Sequence, residues 1–474
     1  MLRTRLPVSL CHTSQRNPGI ITSVLHIIAP HTRPRTVCRN ASFTTEQQLE
    51  PTLAKPKEPP TSAYIHLPFC RKRCHYCDFP IVALGSTSSQ PGYDNDPRIS
   101  NYIQLLIREI KATKPESDSQ PPLETVFFGG GTPSLVPPHL IASVLDALKS
   151  KMGLADEPEI SIEMDPGTFD NVRLREILEL GVNRVSLGVQ SFQEELLRVC
   201  GRAHGLKEVY EAIEMVSSCE ELENWSMDLI SSLPHQTEKM WEESLKCTVD
   251  AAPTHVSVYD LQVEQGTKFA QLYTPGVFPL PTDVISADFY KMASKTLTEA
   301  GYNHYEISSY AKDAYQCKHN LTYWQNNKSF YGFGLGSASY TNGIRFSRPK
   351  RLKEYAEWVQ RLEDGTVSYG TSDVEVKDMA MDVVMLSLRT ARGLDLKEFG
   401  REFGWQLVGT LCEAFRPFVD RGLVVPLDRD RRVLSGDDFE FGKGGTAYFV
   451  RLSDPDGFLL SNELISVAFG VISP

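Results

Sequence analysis

The sequence has no apolar run long enough to cross a bilayer. The longest near its start, Ile20 to Ala29, is interrupted and well short of the ~20 residues a spanning helix needs. Excess basic charge is missing too. Forty-nine Lys and Arg face sixty Asp and Glu, a net charge of −11, which leaves no footprint for sequence-independent nucleic-acid binding. The ten cysteines include seven that are scattered (Cys11, Cys38, Cys200, Cys219, Cys247, Cys317, Cys412). That is no disulfide framework and fits a reduced compartment. Residues 1–45 lack acid altogether: they carry six arginines, no lysine and no carboxylate before Glu46. Without those six charges the remainder stands at −17. An Arg-rich, hydroxyl-rich, acid-poor leader is what an organellar transit peptide requires, here mitochondrial with chloroplast as the alternative; a disordered tail is the competing reading. Residues 46–61, rich in Pro, Lys and Glu, read as a linker, with folded structure expected from Ser62.

What is present centres on Ala63 to Phe79, A-Y-I-H-L-P-F-C-R-K-R-C-H-Y-C-D-F. Cys70, Cys74 and Cys77 are spaced so that one loop can set three thiolates around a face of an iron–sulfur cube, for which soft sulfur ligands are suited. Position 79, where a fourth cysteine could stand, is Phe. One iron would then lack a protein ligand and could take a small molecule. The competing reading is structural zinc, which wants four ligands. No second Cys-x-x-Cys pair exists, so His75 would have to complete that set.

Six short β-rich runs follow: Ala63–Leu67, Thr125–Phe128, Glu159–Met164, Arg184–Leu187, Trp225–Ile230 and His255–Leu261. Helical periodicity lies between them, as in Ile103, Leu106 and Ile110, or Leu174, Ile177 and Leu180. Strand–helix alternation predicts an α/β fold with a parallel sheet. Six units are too few for a closed eight-stranded barrel, so a partial (β/α)6 TIM-like barrel over residues 62–300 is expected. Chemistry in such folds collects at the carboxyl ends of strands. Those ends carry the cysteine loop, Gly129-Gly130-Gly131-Thr132, Glu163, Gln190 and Asp228. Each is weak alone, since glycines make turns and carboxylates cap helices. Their succession at one face is the stronger signal.

C-R-K-R-C-H-Y-C resembles the C-x3-C-x2-C signature of the radical S-adenosylmethionine (SAM) superfamily. The lead-in Y-I-H-L-P-F-C, with G-G-G-T-P-S, S-L-G-V-Q-S-F, G-R-A-H, M-D-L-I-S-S-L-P and H-N-L-T-Y-W, resembles the branch that holds oxygen-independent coproporphyrinogen III oxidases and HemW-type haem chaperones. The resemblance implies a [4Fe-4S] cluster on Cys70, Cys74 and Cys77, with SAM chelating the open iron. It implies SAM contacts from Tyr64, Gly130, Gly131, Thr132, Glu163, Gln190, Arg202 and Asp228, with Arg202 able to neutralise a carboxylate. Tyr76 could lie against the adenine. The oxidase pattern places a cysteine at position 79; Phe79 is what the chaperone branch carries and argues against oxidase activity. The implied cargo is haem, the implied partners are haem-accepting proteins, and peripheral membrane contact stays open.

Downstream, residues 301–370 are expected to extend the barrel. They carry His319, Asn320, Tyr323 and Trp324, the family's haem-contact segment, with His319 as axial ligand and Cys317 as a lesser candidate. Tyr331–Ser339 reads as a glycine-rich return strand beside the SAM site. From about Thr371 a small helical, winged-helix-like domain is expected, with helices at Asp382–Thr390 and Gln406–Phe418, strands at Gly422–Pro426 and Tyr448–Leu452, and an exposed insertion at Gly436–Gly445.

Overall fold

A computed structural model describes residues 58–85, 93–115, 120–326, 328–367, 375–435 and 445–473. The leader, most of the linker, the boundary near Thr371 and nearly all of the insertion at Gly436–Gly445 lie outside them. The described residues begin at Glu58, four before the expected start of folded structure. The Glu58 carboxylate pairs with Lys328, and the Thr61 carbonyl accepts the amides of Glu124 and Thr125.

All six expected strands form. They are β1 (Ser62–Leu67), β2 (Leu123–Gly130), β3 (Leu154–Met164), β4 (Arg184–Gln190), β5 (Asn224–Ser231) and β6 (His255–Asp260), adjacent in chain order and mutually parallel. The sheet does not close on itself. At one edge β6 is extended by an antiparallel pair, β7 (Asn303–Glu306) and β8 (Ser309–Ala311). At the other, β9 (Tyr331–Phe333) runs parallel to β1. Only the first three residues of the expected return strand join this sheet. Gly334 and Gly336 then take positive φ, a left-handed turn that glycine allows without strain, and Ala338–Thr341 pairs with Ile344–Ser347 instead.

Period-two alternation assigns each face of the sheet a role. Ile65, Val126, Phe128, Ile162, Val185, Leu187, Met227, Leu229 and Val256 point to the helical layer and are buried. That layer comprises α1 (Pro97–Ala112), α2 (Pro138–Met152), α3 (Asn171–Glu179), α4 (Leu206–Ser217), α5 (Glu238–Ala251) and α6 (Asp283–Glu299). Leu106, Ile110, Val144, Leu148, Leu174 and Ile177 meet the sheet from it, each worth about 1.5–3 kcal/mol when removed from water. Asp96, Asp170, Thr237 and Thr282 start α1, α3, α5 and α6 by accepting a first-turn amide. The alternate strand positions, Tyr64, His66, Ser161, Glu163, Ser186, Ser226, Asp228 and Ser257, are polar yet buried. They line the inside of the partial barrel.

After β8, α7 (Lys318–Trp324) packs against β2, and α8 (Leu352–Glu363) lies on α1 through Arg108, which bonds Gln360 and Glu363. The C-terminal part is helical, as expected. Helices Val376–Leu388, Trp405–Val419 and Ser461–Ile472 accompany a three-stranded antiparallel sheet of Leu394–Asp395, Phe449–Leu452 and Val424–Leu427. It is tied to the barrel extension by His304 to Asp454 (2.8 Å) and by the Ile307 amide to the Arg389 carbonyl. The described residues all belong to one compact unit.

Candidate functional site

The carboxyl ends of β1 to β5 enclose a cleft of ≈ 740 Å³, open mouth included. Its wall contains Cys70, Cys74, Cys77, Tyr76, Gly130, Gly131, Thr132, Glu163, Gln190, Arg202 and Asp228. That is every predicted cluster and SAM residue except Tyr64; the haem-contact residues His319, Asn320, Tyr323 and Trp324, with Cys317, lie outside it.

The cysteine loop is shaped by groups that are not ligand candidates. Phe69–Cys70 pairs with Val82–Ala83, and Arg73 donates to the carbonyls of Cys77 and Phe79. His75 turns away from the thiols. Its amide donates to the Cys200 carbonyl, its Nδ1 bonds the Val199 carbonyl and its Nε2 lies 3.1 Å from Lys268 Nζ. His75 therefore does not complete a Cys3His zinc set. Among the described residues, no three His, Cys, Asp or Glu groups converge on a single ion. A cube needs its thiolates spread around a face, which is what the loop provides.

The thiols are crowded and dry. Burial pushes the Cys70 thiol up to about 12; the Thr132 hydroxyl, 3.6 Å away, opposes this, while Cys74 and Cys77 reinforce it. Burial and then Cys74 raise Cys77 likewise. Metal loading would release the Cys70 and Cys77 protons that burial retains.

Arg202 is committed more fully than its sequence suggests. It forms an ion pair with Asp165, and it donates to Tyr76 Oη (3.0 Å), Cys74 Sγ (3.4 Å) and the Gly188 carbonyl. Its charge is thus already matched, and the guanidinium props the cysteine loop. Only Nε lacks a partner while buried. Burial pushes the Asp165 carboxyl up, but Arg202 and then His204 outweigh that and hold it below the usual carboxylate range.

The other groups face an unfilled demand. Gln190 is held at φ 67, a region non-glycine residues seldom adopt, where the β4–β5 register shifts. Its Oε1 is buried without a partner, and such strain clusters at ligand sites. Asp228 accepts the Ser186 hydroxyl, which is shared between its two oxygens, yet burial still raises its carboxyl. Glu163 Oε2 accepts the Gly130 amide at 2.9 Å. A Cβ on Gly131 would come within 2.6 Å of the Phe69 carbonyl oxygen, so only glycine lets the chain pass there.

Tyr64 lies beneath this wall. It is buried, stacked on Phe127 (6.3 Å) and bonded to His66 Nδ1; a Cβ on Gly129 would touch both it and Glu163. His319 is elsewhere. It is 1% exposed, at the amino-terminal end of the barrel, with Nδ1 on Thr125 Oγ1 and Nε2 on Tyr323 Oη, each at 2.8 Å. The structure does not place it where an iron ligand must be, because both ring nitrogens are engaged inside the fold. Cys317 is equally buried and shares Glu159 with the first amides of α7. Sequence reasoning missed Asp165, Ser186 and Arg73. The available signal for Asp165 was a carboxylate at one strand end with the Arg of G-R-A-H following the very next strand.

A partial parallel barrel with a three-cysteine loop at its mouth defines the radical SAM class, and the family model of the Radical SAM superfamily matches residues 64–247. The heme chaperone HemW of Synechocystis is 38% identical over 416 residues, 87% of this chain and 97% of its own. HemW of Escherichia coli is 33% identical, over 77% and 91%. The mitochondrial radical S-adenosyl methionine domain-containing protein 1 of Danio rerio is 33% identical, over 70% and 73%. Coproporphyrinogen III oxidase HemN of Escherichia coli, a radical SAM enzyme, superposes with a TM-score of 0.67 over 90% of this chain and 93% of its own, at 21% identity, a likeness of fold. The chain belongs to the HemW family of radical SAM proteins. No helix among the described residues is long and apolar enough to cross a membrane.

Proposed function

We propose that this protein is a haem chaperone built on a radical SAM barrel, binding haem and passing it to acceptor proteins. Near-full-length likeness to proteins named heme chaperones supports the reading. The observation that carries it is Phe79, which lines the cleft at the position where the oxidase pattern has a fourth cysteine. An apolar ring there offers no thiolate, which tells against porphyrinogen decarboxylation.

Cys70, Cys74 and Cys77 hold a [4Fe-4S] cluster, and the remaining iron faces a wall suited to SAM. The unpartnered Gln190 Oε1 and Arg202 Nε, with Glu163 and Asp228, match a ligand bearing ammonium, carboxylate and hydroxyl groups. Gly130, Gly131 and Thr132 let backbone and hydroxyl approach it. Tyr64 acts from below by supporting Glu163. Bound there, the cluster supplies a one-electron couple and an open coordination site.

The test is anaerobic reconstitution with iron and sulfide, followed by parallel haem titration and coproporphyrinogen oxidase assays. Stoichiometric haem uptake without protoporphyrinogen formation is the expected result; catalytic turnover would reverse the ranking. The acid-free leader and the mitochondrial zebrafish relative support mitochondrial import. The cyanobacterial relative is the observation on the plastid side, and fusing residues 1–45 to a fluorescent protein separates the two.

A further inference from the structure

A buried cysteine is ordinarily inert packing. Cys200 differs from the other scattered cysteines in what surrounds it. It is 1% exposed, and among the described residues it is the one of them that shares an apolar cluster with the cysteine loop. Tyr76, Leu196 and Leu233 belong to that cluster, and Cys74 and Cys77 pack against it.

The backbone brings the two stretches together. The His75 amide donates to the Cys200 carbonyl at 2.8 Å, and the His75 ring bonds the Val199 carbonyl. A Cβ on Gly201 would come within 2.7 Å of that ring, so only glycine lets the chain pass so closely. The first bond joins the peptide between Cys74 and His75 to Cys200. Such bonds hold neighbouring backbones about 4.5–5.5 Å apart, inside the range of about 4.4–6.8 Å over which a disulfide spans two Cα atoms. Cys74 is also the loop thiol whose charge acts on Cys200.

The two sulfurs differ in access. Cys74 lines the cleft, and Arg202 donates to its Sγ at 3.4 Å. Oxidant-sensitive cysteines stand in such partly open, electropositive surroundings. Cys200 has no share of the cleft wall and meets the loop from inside the fold. Both are free thiols here.

We infer that Cys74 and Cys200 are a redox modification site, forming a reversible disulfide when the loop is unloaded, with hydrogen peroxide as oxidant. The inference uses the cluster reading above only in that a ligated Cys74 is shielded. The Cys74 thiolate attacks one peroxide oxygen, the O–O bond breaks, and hydroxide leaves and is protonated to water. The Cys200 thiol then attacks the sulfenic sulfur, the S–O bond breaks, and the hydroxyl leaves as water with the Cys200 proton. Two thiols are oxidised and one peroxide is reduced. The link keeps Cys74 from irreversible oxidation and keeps the loop from loading until a dithiol reduces it.

The test treats the reduced, metal-free full chain with stoichiometric hydrogen peroxide and maps its cysteine peptides by fragmentation mass spectrometry. A link between Cys74 and Cys200 is the expected result, with iron uptake lost until dithiothreitol is added. A map in which Cys200 stays a free thiol overturns the inference. Untreated Cys200→Ala should take up iron as the wild type does, whereas peroxide should carry its Cys74 on to sulfinic acid, which dithiothreitol does not reverse. Full recovery of that variant by dithiothreitol also overturns the inference. A wild-type chain that never takes up iron overturns the cluster reading instead, and the peptide map still decides the disulfide.

Discussion

The mouth and the floor of the barrel are both built from buried polar side chains, and they differ in what those groups have left to do. At the floor, Glu159 accepts the amides of Lys318 and His319, and His319 bonds Thr125 and Tyr323. His255 bonds Ser226 and Tyr305, and burial keeps it neutral by lowering its pKa. Among the described residues, Arg184 Nε and the neighbouring Ser161 Oγ are exceptions there. At the mouth, Gln190 Oε1 and Arg202 Nε remain uncommitted, and the three cysteines are in no disulfide. Reactive residue types therefore do not mark the site by themselves. Unspent valences do.

The sharpest way to break that contrast is at the cysteines. Replacing Cys70, Cys74 or Cys77 by Ala should abolish the cluster, read as loss of iron and of the broad visible absorption; an intact cluster in any of the three removes the mouth from the account. Next comes Asp165→Asn, which strands a buried guanidinium and should cost about 3–5 kcal/mol in denaturant unfolding. Because the Asp165 pKa is lowered on folding, the stability it contributes is complete above its unfolded value of about 3.9 and is lost as pH falls through the lower folded value. The variant should flatten that part of the acid limb.

His319→Ala should lose about 2–4 kcal/mol of stability, for two buried hydrogen bonds and a packed ring, with haem affinity unchanged. A haem defect without destabilisation would move the floor into the binding machinery. Asp228→Asn should go the other way. Its carboxyl is raised by burial, so the amide should leave the apo protein as stable or about 1 kcal/mol more stable at neutral pH while weakening SAM binding in equilibrium dialysis. The smallest change is Phe79→Cys, for which no oxidase activity is expected, because one thiol does not supply a porphyrinogen-binding surface.

Most of the scaffold could be read from residues alone. The six core strands lie where period-two runs end in Gly, Pro or charge, and cysteine spacing located the mouth. The directions of side chains could not be read. Nothing in C-H-Y-C says that His75 faces Val199, because a loop residue's orientation is set by what packs against it. H-N-L-T-Y-W carries ligand-type residues, but Thr125, which occupies the His319 ring, is 194 positions away. The antiparallel pair β7 and β8 was hidden for the same reason: three- and four-residue strands give too short a pattern.

His75 is fastened by its amide, its ring and its carbonyl to Val199, Cys200 and Phe269. The curvature of the cysteine loop is accordingly a property of the polypeptide rather than of the metal. Where a zinc finger collapses without its ion, a loop tied in this way is expected to keep its shape when empty, so that refilling the apo chain with iron and sulfide should need no refolding step.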